Sequence, residues 1–195
     1  MTHEEVPLAV VFREVAGFLA ARTDAVIFGA HAVNAYANVE RMTQDVDVLS
    51  TNAALLAEDL RSHLGSNLHI AVRVREVVPG VGYRVYQLRD VKNRHLVDVR
   101  QANVLPPFVE IGGVRVLEIV ALLAMKVTST TARRGREKGL SDRLDVHRLL
   151  NAFPHLRVEE GPVAERLRRD GAAEALATWC ELVQEQIEPD GDEPW

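Results

Sequence analysis

The chain has 195 residues, of which 47% are hydrophobic and 26% charged, and a formal net charge of −5. Such a balance suits one domain, or one domain with a helical appendage, and argues against a globally basic coat for nucleic acid. The single cysteine, Cys180, excludes an internal disulfide and a cysteine-anchored zinc cluster, and no apolar run is long enough to mark a membrane span. The Met-Thr-His-Glu-Glu start lacks the basic region of a signal peptide, so a cytoplasmic protein is expected.

Leu8, Val11, Phe12, Val15, Phe18 and Leu19 recur at helical spacing across 7–22. The apolar run Ala25–Phe28 reads as a strand that ends in Gly29-Ala30, and small residues then predict a helix through about Tyr36. Asp45 and Asp47 alternate with Val46, Val48 and Leu49, which reads as a second strand. Side chains at i and i+2 of a strand share a face, so two carboxylates would stand roughly 7 Å apart at their Cα atoms. Adjacent carboxylates repel unless a proton or a cation lies between them, and Mg²⁺ is held by one or two carboxylates plus substrate phosphates. A solvated strand face is the plain alternative. If the strand reaches back to Arg41 and Thr43, both share that face, where Arg41 would serve as an ion-pair partner or help to hold a triphosphate. His31, at the helix start, either approaches a phosphate or is an ordinary polar residue at a helix end.

A helix is expected over 52–65, capped by Thr51 or Asn52 and stopped by Gly65. The strands His69–Val78 and Gly82–Leu88 form a hairpin around Pro79-Gly80, with Arg73, Arg75, Arg84 and Arg89 giving it a basic or solvated face. His95–Arg100 alternates as a further strand and carries Asp98, a candidate third carboxylate. Phe108–Ile111 and Val114–Val116 pair across Gly112-Gly113. Leu117–Thr128 is an apolar helix that includes Lys126, and beyond it Asp142 and Asp145 fall on one helix face. Lys126 and Asp142 read equally well as a buried pair or as groups near phosphate. The basic run 133–138 is either a solvated loop or a landing place for a polyanion. Helices over Val163–Leu167 and Ala172–Ile187 are separated by Gly171, and the acidic tail 189–195 is expected to be poorly ordered.

Gly29-Ala30, Ala32-Val33, Tyr36, Arg41-x-Thr43 and Asp45-x-Asp47 together resemble the signature of the nucleotidyltransferase superfamily, and within it the AbiEii/MenT-type nucleotidyltransferase-like proteins, many of them toxin components. The signature lies within residues 25–50, and weaker features extend the resemblance through about residue 150. The chain departs from the pattern twice. Ala30 offers no hydroxyl at the second turn position, and the stretch from Gly29 to Asp45 is one residue longer. Backbone N–H groups at a helix N-terminus hold phosphate without a side chain, so the departures are compatible with phosphate binding and point to reduced or altered activity.

The resemblance implies an α+β fold: a nucleotidyltransferase-like mixed β-sheet flanked by helices (1–116), a C-terminal helical region (117–188) and the tail. It also implies transfer of an NMP group from an NTP to an acceptor hydroxyl. Asp45, Asp47 and Asp98 would hold Mg²⁺ or Mn²⁺, with Asp98 orienting or deprotonating the acceptor. Gly29, Ala30, His31, Arg41, Thr43 and Lys126 would contact the nucleotide. The implied acceptor is tRNA or a partner protein, in a toxin–antitoxin setting with a cognate antitoxin; self-association is a further expectation. Two rival readings are a non-catalytic module that binds nucleotide or a partner, and a dimerising protein that uses the apolar C-terminal helices.

Overall fold

Among the described residues of the computed structural model, which are 6–38, 43–185 and 187, seven strands form a single sheet in the order β3-β4-β5-β2-β1-β7-β6. The strands are β1 (Ala25–Phe28), β2 (Val46–Ser50), β3 (Val72–Val78), β4 (Gly82–Gln87), β5 (Arg94–Gln101), β6 (Phe108–Ile111) and β7 (Val114–Leu117). The helices are α1 (Leu8–Ala20), α2 (Gly29–Ala37), α3 (Ala53–Leu68), α4 (Ile119–Ala132), α5 (Glu137–Ala152), α6 (Pro162–Arg169) and α7 (Leu176–Gln184). The sheet is mixed: β2 runs parallel to β5 and β1 parallel to β7, while the remaining neighbours are antiparallel. The fold is thus α+β with a mixed sheet and a C-terminal helical region, in agreement with the class expected from the sequence.

The chain divides into two compact units, Met1–Ala32 with Glu40–Leu117, and Val33–Val39 with Glu118–Trp195. All seven strands belong to the first. Its core follows directly from strand alternation: Val46, Val48, Val85, Val97 and Val99 point to one sheet face and pack with Val11, Val15 and Leu19 of α1 and Leu56, Leu60 and Leu64 of α3. Each such burial is worth about 1.5–3 kcal/mol. The intervening residues of β2, β4 and β5 project from the other face, and that face carries the polar groups.

In the second unit, Leu122, Leu123, Val127, Val146, Leu149, Leu150, Leu167, Trp179 and Leu182 are fully buried. Trp179 satisfies its indole N–H with the carbonyls of Val158 and Glu159, both at 3.2 Å. Glu118 caps α4, its carboxylate accepting hydrogen bonds from the N–H groups of Val120 and Ala121 at 3.0 and 3.1 Å.

Several element ends differ from expectation. Gly65 does not stop α3; the helix continues to Leu68, and His69 takes the left-handed cap at φ 52°. A glycine disfavours a helix by only about 1 kcal/mol, which the apolar stripe of α3 outweighs. The helix expected over Leu117–Thr128 starts after Glu118 and runs to Ala132. In the basic run 133–138, Arg133 pairs with Asp142 at 2.7 Å and Arg134 with Glu181 at 2.7 Å, while residues 134–138 are exposed and Lys138 lies in α5. Gly139 is required there, because a Cβ would meet the Arg133 carbonyl oxygen at 2.2 Å. The tail 189–195 lies outside the described residues.

Candidate active site

The parallel pairing of β2 with β5 sets Asp47 directly opposite Asp98. On its other side Asp47 faces Phe28, the last residue of β1, and the next residue is Gly29, where α2 begins. Gly29 has φ +69°, and a Cβ at that position would stand 2.0 Å from Asp47 Oδ2. The turn therefore needs glycine twice over, for its backbone angle and for the space taken by the Asp47 carboxylate. The geometry puts a carboxylate against the first turn of a helix, where backbone N–H groups lack intrahelical partners.

Asp45 precedes β2 by one residue and is half-buried, as are Asp47 and Asp98. His95 joins them. Its Nδ1 lies 3.0 Å from Asp45 Oδ2 and its Nε2 3.0 Å from Asp98 Oδ1. Arg84, opposite Asp98 on β4, donates from Nε to the same Oδ1 at 2.8 Å. Arg100 approaches Asp47 at 3.8 Å and lies over the Phe28 ring, 5.0 Å from its centroid. Across four strands the row reads Arg75, Arg84, Asp98, Asp47, with opposite charges as direct neighbours at Arg84–Asp98.

These contacts set the protonation states. Burial works against a charged His95, but its hydrogen bonds to Asp45 and Asp98 outweigh that and carry it from 6.5 up to about 9. Burial likewise works to raise Asp98, yet the His95 hydrogen bond and the charges of His95 and Arg84 hold it below the usual carboxylate range. The metal-free cluster is accordingly two carboxylates bridged by an imidazolium. Asp45, His95 and Asp98 each offer one ligand atom within 4.8 Å of the others, the only such group of three among the described residues.

Of the residues anticipated from sequence, Gly29, Asp45, Asp47 and Asp98 come together at this corner of the sheet. Ala30 follows Gly29 in the first turn of α2. His31 and Thr43 are joined by a short hydrogen bond between Nε2 and Oγ1, and the His31 ring meets the edge of Phe12, 4.4 Å between centroids. Arg41 lies outside the described residues. Lys126 belongs to the second unit, where it is buried and donates to Asp142 at 3.0 Å and to Asp145 at 2.8 Å.

His95 escaped the sequence reading because its spacing to Asp98 is odd. In a regular strand, residues three apart point to opposite faces. Here Val85 pairs with Val97 while the next residue, Tyr86, pairs with His95, so Leu96 is an extra residue in β5. This β-bulge returns His95 to the face of Asp98. The available signal was the adjacent pair Leu96-Val97, both fully buried, which interrupts the alternation.

No family model and no curated protein sequence matches the chain. Solved structures do. The Megavirus polyadenylate synthase superposes with a TM-score of 0.62 at 15% identity, over 78% of this chain and 33% of that one. The chain thus spans about one third of the viral protein's length. JHP933 from Helicobacter pylori matches at a TM-score of 0.54 and 14% identity, covering 90% of this chain and 89% of its own. An antigenic nucleotidyltransferase-like protein from Paracoccidioides brasiliensis matches at 0.50 and 18% identity, over 87% and 92%. The fold is nucleotidyltransferase-like. No helix among the described residues is long and apolar enough to cross a membrane.

Proposed function

We propose that this chain is a metal-dependent nucleotidyltransferase of the AbiEii/MenT type, which moves an NMP group from an NTP to an acceptor hydroxyl. The observation that carries the reading is the pairing of Asp47 with Asp98 on parallel strands, with Asp45 two residues upstream and the Gly29 turn alongside. Three carboxylates on one sheet face form a donor set of hard oxygens suited to Mg²⁺ or Mn²⁺. A bound divalent ion would neutralise phosphate charge and polarise the α-phosphate.

The chain's own groups do the positioning. The first N–H groups of α2, at Gly29 and Ala30, receive phosphate oxygens, with Thr43 and His31 as further nucleotide contacts; Arg41 is retained as a nucleotide contact from the sequence resemblance alone. Asp98 fixes the acceptor hydroxyl; held in its ionised form by His95 and Arg84, it is a weak base and acts mainly by orientation. The acceptor oxygen forms a bond to the α-phosphorus, the bond to the bridging oxygen breaks, pyrophosphate leaves, and the hydroxyl proton passes to solvent. Catalysis of this kind rests on placement and charge rather than on covalent chemistry by the protein. Lys126, held by Asp142 and Asp145, is retained as a nucleotide contact from the sequence resemblance alone. The acceptor is tRNA or a partner protein, in a cytoplasmic toxin–antitoxin setting with a cognate antitoxin. Residues 1–116 form the catalytic core and 117–188 the helical region.

A second reading has one observation in its favour. Each of the three carboxylates has an internal cation beside it, namely His95, Arg84 or Arg100, as in a binding scaffold that does no chemistry. Incubation with each α-labelled NTP, Mg²⁺ or Mn²⁺, and either bulk tRNA or cell lysate separates the two. Label transferred by the wild type and lost in Asp45→Ala/Asp47→Ala protein supports the enzyme. Absence of transfer from every NTP by folded protein favours the scaffold.

A further inference from the structure

Polar residues on a half-buried sheet face are ordinary, but a β-bulge that turns a histidine into a carboxylate site gives up a ladder position for a particular side chain. Leu96 is that extra residue, and its insertion puts the His95 ring between Asp45 and Asp98. Without the bulge the imidazole would point into the core with Val97 and Val99. The ring is further fixed by Tyr86, whose ring lies 5.3 Å away at an interplanar angle of 33°.

The arrangement matches the way proteins hold a metal-bound imidazole. Such a ring presents one nitrogen to the ion and gives its other N–H to a carboxylate, which sets its orientation. His95 has a carboxylate at each nitrogen, so one pairing persists when the other nitrogen turns to an ion. The cluster then presents oxygen from Asp45 and Asp98 and nitrogen from His95, with all three ligand atoms within 4.8 Å. Mg²⁺ is satisfied by oxygen donors and water and gains little from imidazole, whereas Zn²⁺ and Fe²⁺ favour imidazole and Mn²⁺, although served mainly by oxygen, binds it more readily than Mg²⁺ does.

We propose that His95 is a direct metal ligand that makes this site prefer a transition-metal dication, such as Mn²⁺, to Mg²⁺. The proposal rests on the nucleotidyltransferase reading of the same carboxylates and adds a donor and a selectivity to it. Lys126, also set between two carboxylates, cannot play this part, because an ammonium has no lone pair to offer.

The test uses tag-free full-length protein and Mn²⁺ alone. Mn²⁺ binding is followed by electron paramagnetic resonance, with Mg²⁺ as competitor, and pulsed measurements read hyperfine coupling from a directly bound ¹⁴N. Wild-type protein is expected to show that coupling and to prefer Mn²⁺ to Mg²⁺ by about tenfold or more. His95→Ala and the more conservative His95→Gln are each expected to lose the coupling and to weaken Mn²⁺ by roughly tenfold or more, while Mg²⁺ binding changes little.

Mn²⁺ that binds in a manner dependent on Asp45 and Asp98 but without ¹⁴N coupling overturns the proposal and leaves the nucleotidyltransferase reading intact. Tighter binding of both ions by His95→Gln also overturns it, since His95 would then be a counter-ion that blocks the site. Failure to bind Mn²⁺ at all overturns it too, and label transfer then decides the enzymatic reading separately.

Discussion

His95 lies between Asp45 and Asp98, and Lys126 lies between Asp142 and Asp145. Each cluster places one cation between two carboxylates, but the surroundings differ. Side-chain exposure is 24%, 32% and 15% for His95, Asp45 and Asp98, against 10%, 7% and 1% for Lys126, Asp142 and Asp145. In the helical cluster Arg133 and Arg148 take up the second carboxylate oxygens at 2.7 and 3.2 Å, which closes the network around the ammonium. In the sheet cluster the carboxylates are more exposed, and the cation between them is a ring with nitrogen donors rather than an ammonium. One cluster is built to keep its cation and the other can exchange it. Burial and donor chemistry set the two clusters apart.

The largest effects should be opposite in kind at the two clusters. Asp98→Asn should lower label transfer by roughly 10²–10³-fold, the range seen when one preorganised electrostatic group is lost, with little change in the urea midpoint. A loss of folding that tracks the loss of transfer would remove the distinction between the clusters. Lys126→Met should instead destabilise the protein by about 3–5 kcal/mol, because it leaves two buried carboxylates short of a partner. Urea unfolding followed by circular dichroism measures this directly, and a change under about 1 kcal/mol would mean that the network is not structural.

Gly29→Ala tests the corner itself. The positive φ and the clash with the Asp47 carboxylate should cost about 1–3 kcal/mol and displace Asp47, so metal binding should weaken even where the fold survives. Thermal melts together with Mn²⁺ titration separate the two effects.

The smallest effect concerns His147 in the helical unit, whose pH response sharpens the contrast with His95. Burial, the largest influence, lowers His147 despite its 3.0 Å contact with Glu185, and the charges of Arg157 and Arg143 push the same way. The fold therefore prefers the neutral ring. This contribution to stability is fully present above the unfolded value near 6.5 and is lost as pH falls from there through the lowered folded value. Stability is therefore expected to fall between pH 7 and 5. His147→Gln should flatten that part of the stability–pH curve, and an unchanged curve would assign the slope to other groups such as Glu185, itself held low although burial alone would raise it.

Much of the fold was legible because it depends on short-range pattern. The alternation in Val46–Leu49 marked β2 and its outward carboxylates, Gly112-Gly113 marked the β6–β7 turn, and the heptad-like apolar spacing of 7–22 marked α1. Asp45, Asp47 and Gly29 could be placed near one another because fewer than twenty residues separate them and the strand–turn–helix pattern fixes their faces. Where the sequence misled, a local preference met a stronger tertiary one. Gly65 stays helical because α3 buries Leu56, Leu60 and Leu64.

By itself the sequence determined which residues alternate, where the chain must turn, and that two carboxylates share a strand face, since these follow from backbone geometry within a few residues. Tertiary structure alone decided that β5 lies parallel to β2 with Asp98 opposite Asp47, and that a bulge at Leu96 brings His95 between two carboxylates. It also decided that Lys126 is enclosed by Asp142 and Asp145 rather than left on a surface. The reason is one of range. Strand partners and burial depend on segments dozens of residues apart, and a single-residue shift in register reverses which side chains face the site.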